Sequence, residues 1–140
     1  MSEKYKILSN FVKDMSSETP DVESYLSTKN NINKYELDID ISSKPLKNKL
    51  IEVNTSLKFQ NKTQADKKSY FEIVYASIVQ IEESIKEKKD LQKIILCDIQ
   101  NDIYPKIEKI LLNLLSDSGY SNVKFDKKVD FNKLFNDKFN

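Results

Sequence analysis

The chain has 140 residues, with 23 basic and 22 acidic side chains for a formal charge of +1, and no histidine. Every basic residue is a lysine, so the planar guanidinium fork that reads phosphate or guanine bidentately is missing. The lack of histidine removes the commonest general base and metal ligand, and the lone Cys97 supports neither an intrachain disulfide nor a multi-thiolate zinc site.

The length fits one domain spanning residues 1–140. With charge so evenly balanced, no field draws in nucleic acid. The longest unbroken apolar run, Ile94 to Cys97, is far short of a membrane span, and Met1 to Asp14 lacks the apolar run of a signal peptide. The expectation is a cytoplasmic protein without direct membrane insertion, metal or cofactor.

The first half reads as strands. Residues 4–13 alternate Tyr5, Ile7, Ser9 and Phe11 against Leu8 and Val12. A polar connection from Ser16 to Asn33 carries Pro20 and a stranded Tyr25-Leu26 pair. Residues 35–42 place Tyr35, Leu37, Ile39 and Ile41 on one face, and residues 50–59 do the same with Ile51, Val53, Thr55, Leu57 and Phe59. Pro45 and Asn48 mark the turn between them. After a polar loop from Gln60 to Lys68, residues 69–81 form the most apolar strand, with both faces expected to be covered.

The second half changes period. Leu91, Ile94, Ile95, Ile99 and Ile103 recur at three- and four-residue steps, and Pro105 predicts an end or a kink. Ile107, Ile110, Leu111, Leu114 and Leu115 mark the next helix, with Gly119 placed as its left-handed cap. Asp130 is the expected N-cap of a last helix burying Phe131, Leu134, Phe135 and Phe139. The predicted class is α+β: a four-stranded antiparallel sheet followed by helices packed on one side.

Chemistry finds little support in these residues. Cys97 has no histidine to activate it and reads as an inert, covered thiol. Glu36, Asp38 and Asp40 line one strand face and read as solvated carboxylates. Lys86, Lys88 and Lys89 alternate with Glu87 and Asp90, unlike a phosphate track. The protein is not expected to be an enzyme. Seven Tyr and seven Phe favour recognition, because several lie outside the strongest periodic elements. They either close the ends of the core or line an apolar groove or interface.

Five segments carry a resemblance. Tyr5-Lys6-Ile7 followed by Val12-Lys13-Asp14-Met15-Ser16-Ser17-Glu18-Thr19-Pro20 resembles the first strand and turn of the SecB family of bacterial export chaperones. Leu37-Asp38-Ile39-Asp40 is similar to the family's second strand, and the run Phe71 to Ile81 to its apolar last strand. Asn101-Asp102-Ile103-Tyr104-Pro105 resembles the start of its long helix, and Val129-Asp130-Phe131-Asn132-Lys133-Leu134-Phe135 its ending. The segments fall in order along almost the whole chain. Departures include Lys106-Ile107-Glu108, where relatives carry an Arg, and Ser77 in place of a strand glycine.

The resemblance implies an ATP-independent chaperone, assembled as a homotetramer (a dimer of dimers), that holds unfolded precursor proteins and delivers them to the SecA motor. Two alternatives stay open: a SecB-like chaperone for a narrow client such as an antitoxin, and a structural module with one folded partner. On this reading Phe71, Ile73 and Tyr75 join or brace protomers, and Ile107, Ile110, Leu111 and Leu114 pack between sheets. The expected client groove has walls of Tyr25, Leu26, Phe135 and Phe139 over a floor of Leu37 and Ile39. The resemblance carries a SecA-binding surface onto Asp14, Glu18 and Glu72, with Tyr70 beside them. Residues 1–43 hold five lysines against eight acidic residues, so negative charge collects where that surface should lie.

Overall fold

The structure, a computed structural model, describes residues 4–62, 69–125 and 128–139, the last two of these by their backbone alone. Residues 63–68 of the expected polar loop and the Phe139 side chain lie outside the described set. The elements are β1 (Tyr5–Glu18), α1 (Val22–Asn30), β2 (Glu36–Pro45), β3 (Leu50–Gln60), β4 (Tyr70–Ile81), α2 (Lys88–Lys93), α3 (Ile99–Asp117) and α4 (Phe131–Phe139). The four strands form one antiparallel sheet in the order β1-β4-β3-β2. The architecture is the expected α+β, with a sheet and then a long helix.

β4 is a central strand, and its alternation sets the two faces. Phe71, Ile73, Tyr75, Ser77 and Val79 are all buried. They meet Val53, Leu57 and Phe59 of β3 and Ile103, Ile107, Leu111 and Leu115 of α3 in one core. The intervening Tyr70, Glu72, Val74 and Ile78 are half-buried on the opposite, open face. Phe71, Ile73 and Tyr75, expected to join or brace protomers, are covered within the single chain. They are spent on the chain's own core, as are Ile107 and Leu111, and none offers surface to a second protomer.

β1 departs from its predicted alternation. Its pairing with β4 shifts at Leu8 and again at Lys13, each an extra residue in the strand. Ile7 stands opposite Val79 on the core face, but after the first bulge Phe11 stands opposite Ala76 on the open face. The strand also runs five residues past its predicted end, to Glu18. Leu8, Phe11, Val12 and Met15 remain exposed along this sheet edge.

The connection after β1 contains a helix that sequence periodicity does not reveal. Asp21 caps it, its Oδ1 accepting from the Ser24 amide at 2.7 Å. The buried face of α1 is Ser24 and Thr28, four residues apart and both polar. A search for apolar residues at helical spacing passes over such a face. The β2–β3 turn forms where Pro45 and Asn48 place it, with Asn48 and Lys49 both at φ 63°. Two consecutive left-handed residues match the twist of a tight hairpin.

The helix does not end at Pro105. α2, the five-residue π-helical stretch Ile94–Asp98 and α3 follow without interruption, and Pro105 sits inside α3. The carbonyl it leaves without an amide belongs to Asn101, and both residues are exposed, so water can satisfy that acceptor. Gln100 is fully buried beside the widened stretch: its Nε2 donates to the Ile95 carbonyl at 3.3 Å, and its Oε1 accepts from Thr55 at 3.1 Å. One amide side chain thus ties the helix to β3.

α3 ends in a Schellman turn. The Tyr120 amide reaches the Leu115 carbonyl at 2.8 Å, and the Gly119 amide reaches that of Ser116 at 3.1 Å. Gly119 has φ +103°, and a Cβ there would lie 2.7 Å from Tyr25 Cε1. Backbone strain and a ring clash therefore coincide. Gly119→Ala is expected to cost about 2–3 kcal/mol, read as a lower urea midpoint at unchanged slope.

Candidate functional site

Two surfaces emerge from this frame, a ring-lined groove at one end of the sheet and the open sheet face. The groove begins where the Schellman turn sends residues 119–125 back across the sheet. Phe125 meets Phe59 edge-on at 5.6 Å between ring centres, and Tyr35 lies 5.3 Å from Phe59. Between them opens a pocket of about 360 Å³ lined by Ile32, Tyr35, Phe59, Val123 and Phe125 together with Asn33, Asn122 and Lys124. A second pocket of about 210 Å³ shares Ile32, Asn122 and Val123 and extends to Lys29 and Tyr120. The two make a continuous trough between the end of α1 and the 119–125 segment.

The residues expected to form the groove do not meet in this trough. Tyr25 lines neither pocket; its ring lies 5.2 Å from Tyr120 at a tilt of 34°, and its hydroxyl donates to the Gly119 carbonyl at 3.0 Å. Leu26 is exposed on α1 and does not line either pocket. Leu37 and Ile39 are half-buried against the core rather than forming a floor. Phe135 is buried, and α4 packs on the π-helical stretch through Phe131, which meets Tyr104 at 5.3 Å. Leu134, predicted to face inward, is exposed. Asp130 caps α4 as expected, accepting from the Lys133 amide at 3.0 Å. Sequence reasoning missed Ile32, Val123 and Phe125, which lie in no periodic segment. The available signal was Asn122-Val123-Lys124-Phe125, an alternating stretch directly after the glycine cap.

The open face gathers the acidic candidates. β1 pairs Glu18 with Tyr70, Ser16 with Glu72 and Asp14 with Val74, so Asp14, Glu18, Tyr70 and Glu72 share one surface. Asp14 and Glu18 are exposed, whereas the Glu72 side chain is 16 % exposed and pairs with Lys58 at 3.4 Å. Tyr70 donates to Glu72 at 3.4 Å, and burial together with that carboxylate raises its phenol above the usual tyrosine range. Further along, Lys13, the extra residue of the second bulge, reaches Glu52 at 2.7 Å. That hydrogen bond, helped by Asn54 at 2.8 Å, holds the Glu52 carboxyl below the usual glutamate range.

The remaining chemistry is quiet. Cys97 is buried with its Sγ against the Phe131 carbonyl at 3.3 Å, and burial pushes the thiol up, away from the reactive thiolate. No group of three or more potential metal ligands occurs among the described residues. Among them, too, no helix is long and apolar enough to cross a membrane.

A four-stranded antiparallel sheet backed on one face by a long helix is a SecB-like fold. Among solved structures the chain resembles a SecB-like chaperone of Mycobacterium tuberculosis in complex with a ChAD peptide from an antitoxin. The TM-score is 0.63 at 9% identity, covering 89% of this chain and 91% of the other. The family described as Preprotein translocase subunit SecB matches residues 1–140. A putative protein-export protein SecB of Pelagibacter ubique is 54% identical over 140 residues, the full length of both chains. The protein-export protein SecB of Bradyrhizobium diazoefficiens is 24% identical over 129 residues, 92% of this chain and 78% of the relative. The chain belongs to the SecB family of protein-export chaperones, a non-enzymatic family.

The Lys13–Glu52 pair makes a pH expectation. A carboxyl held low in the folded state adds stability above its unfolded pKa, and that contribution is lost as pH falls through the lowered folded value. In a carboxyl NMR titration Glu52 should therefore titrate below an ordinary glutamate. Lys13→Met should move its midpoint up, and an unmoved midpoint would assign the shift to Asn54 alone.

Proposed function

We propose that the protein is an ATP-independent holding chaperone of the cytoplasm. It keeps unfolded precursor polypeptides export-competent in the trough beside Tyr35, Phe59, Val123 and Phe125, and passes them to the SecA motor. The observation that carries this reading is the trough itself: the half-buried Phe125, Ile32 and Val123 over the buried rings of Tyr35 and Phe59, with Asn33, Asn122 and Lys124 beside them. Such a surface gains affinity from apolar contact without demanding a sequence. The identity to an export protein over the full chain favours export over a single-client role.

Assembly as a homotetramer is part of the reading. β1 is a sheet edge with four exposed apolar side chains, and exposed edges of this kind pair with another copy or aggregate. Ile110 and Leu114 remain half-buried on α3 outside its fully buried stripe, and they replace Ile107 and Leu111 as the helical contacts between sheets.

Holding can be measured as the delay in refolding of an unrelated denatured protein at stoichiometric amounts without nucleotide. Val123→Ser with Phe125→Ser should weaken client binding about tenfold, equivalent to ~1.4 kcal/mol, while leaving the oligomer intact. Unchanged holding would remove the trough as the client site, and binding of one folded protein alone would favour the interaction module. Protection of a single client sequence would favour the narrow chaperone.

SecA docking is proposed for the open face at Asp14, Glu18, Tyr70 and Glu72, where carboxylates can receive a small basic segment. Exposed ion pairs contribute about 0.2–1 kcal/mol each, so several must act together and the contact must weaken with salt. Asp14→Lys with Glu72→Lys should abolish SecA binding and spare client holding. Normal SecA binding by this variant at low salt, read by calorimetry, would remove the assignment.

A further inference from the structure

The covered end of the trough is closed by a cluster of hydroxyl groups beside its ring contacts. Thr28 Oγ1 donates to Ser69 Oγ at 2.8 Å and lies 3.2 Å from the Tyr35 hydroxyl. Ser69 Oγ in turn lies 3.2 Å from the Tyr120 hydroxyl, and its carbonyl accepts from Tyr35 at 2.8 Å. Thr28, Ser69, Tyr35 and Tyr120 are all buried, so α1 is seated on a dry cluster of hydroxyls.

That seat is easily released. On opening, water replaces hydroxyl–hydroxyl bonds nearly one for one, so the net cost of parting them is small. α1 has nine residues, too few to hold a helix without support, and its apolar Val22 and Leu26 are exposed. Ser24 Oγ is buried without a partner among the described residues, so opening hydrates it. Beneath the seat the rings run in series, Tyr120 5.5 Å from Phe71 and Phe71 6.4 Å from Phe59, and Tyr25 of α1 itself rests 5.2 Å from Tyr120.

We infer that α1, with the turn Ile32–Lys34 behind it, is a lid latched by Thr28, Ser69 and Tyr120, whose release lengthens the trough onto Tyr120 and Phe71. Its use rests on the client-groove reading; its motion does not. In the closed position Ile32 forms one wall of both pockets. Lifting the lid therefore widens the open part of the trough while it uncovers the closed part.

Backbone hydrogen exchange on the full-length protein tests the latch. The amides of residues 25–31 should exchange much faster than those of β4. Thr28→Val and Tyr120→Phe each delete a hydroxyl while keeping the bulk of the side chain. Each should speed exchange in α1 a further five- to tenfold with β4 unchanged, and raise uptake of the apolar dye anilinonaphthalene sulfonate two- to fivefold. Thr28→Ser should behave as the parent. Unchanged exchange in both variants would overturn the latch, and faster exchange without added dye uptake would overturn its link to the trough. The client-groove reading fails separately, if Val123→Ser with Phe125→Ser leaves holding intact while the exchange results stand.

Discussion

Everything positioned in this molecule depends on the pairing register of β4. A strand alternates its side chains, so a slip of one residue would exchange Phe71, Ile73, Tyr75 and Val79 for Tyr70, Glu72, Val74 and Ile78. The first set fills the space beneath α3, and the second cannot, because it would bury Glu72 against Ile107 and Leu111. Burial of four large apolar side chains, worth roughly 1.5–3 kcal/mol each, holds the register in place. The open face, with its carboxylates, is the other side of the same decision. The core and the proposed docking surface are therefore specified together.

The bulges of β1 adapt an edge strand to that central one. Without the shift at Leu8, Phe11 would follow Ile7 onto the core face; with it, Phe11 covers Ala76, which is fully buried although it lies on the open side. The second shift releases Lys13 from the ladder and lets its long side chain cross to Glu52 on β3. Irregular pairing here produces both an apolar patch and a fixed ion pair.

Strands β2, β3 and β4 were legible in the sequence because each buries one face and obeys period two. The last helix was legible from Asp130 and its cap, and the C-terminal end of α3 from Gly119. What stayed hidden has a common cause. α1 buries hydroxyls, and hydroxyls leave no hydrophobic period. The bulges at Leu8 and Lys13 leave no compositional mark. Pro105 suggests a break unless one knows that Asn101 faces solvent. The groove suffered most, since Val123 and Phe125 are placed by a glycine turn and by contact with Phe59, not by any local regularity. The acidic surface was legible only through the family resemblance, as its carboxylates alone look like any solvated strand face.

Cys97 gives the molecule a stopwatch. It is the chain's one thiol, sealed in the core with the Phe131 carbonyl against its sulfur. An alkylating reagent can reach it only when α4 lifts or the core opens. The speed of that single reaction thus counts how often the C-terminal helix departs or the core opens, with no label added and no residue changed. Any partner that clamps α4 slows the clock, and any that pries it away makes it run.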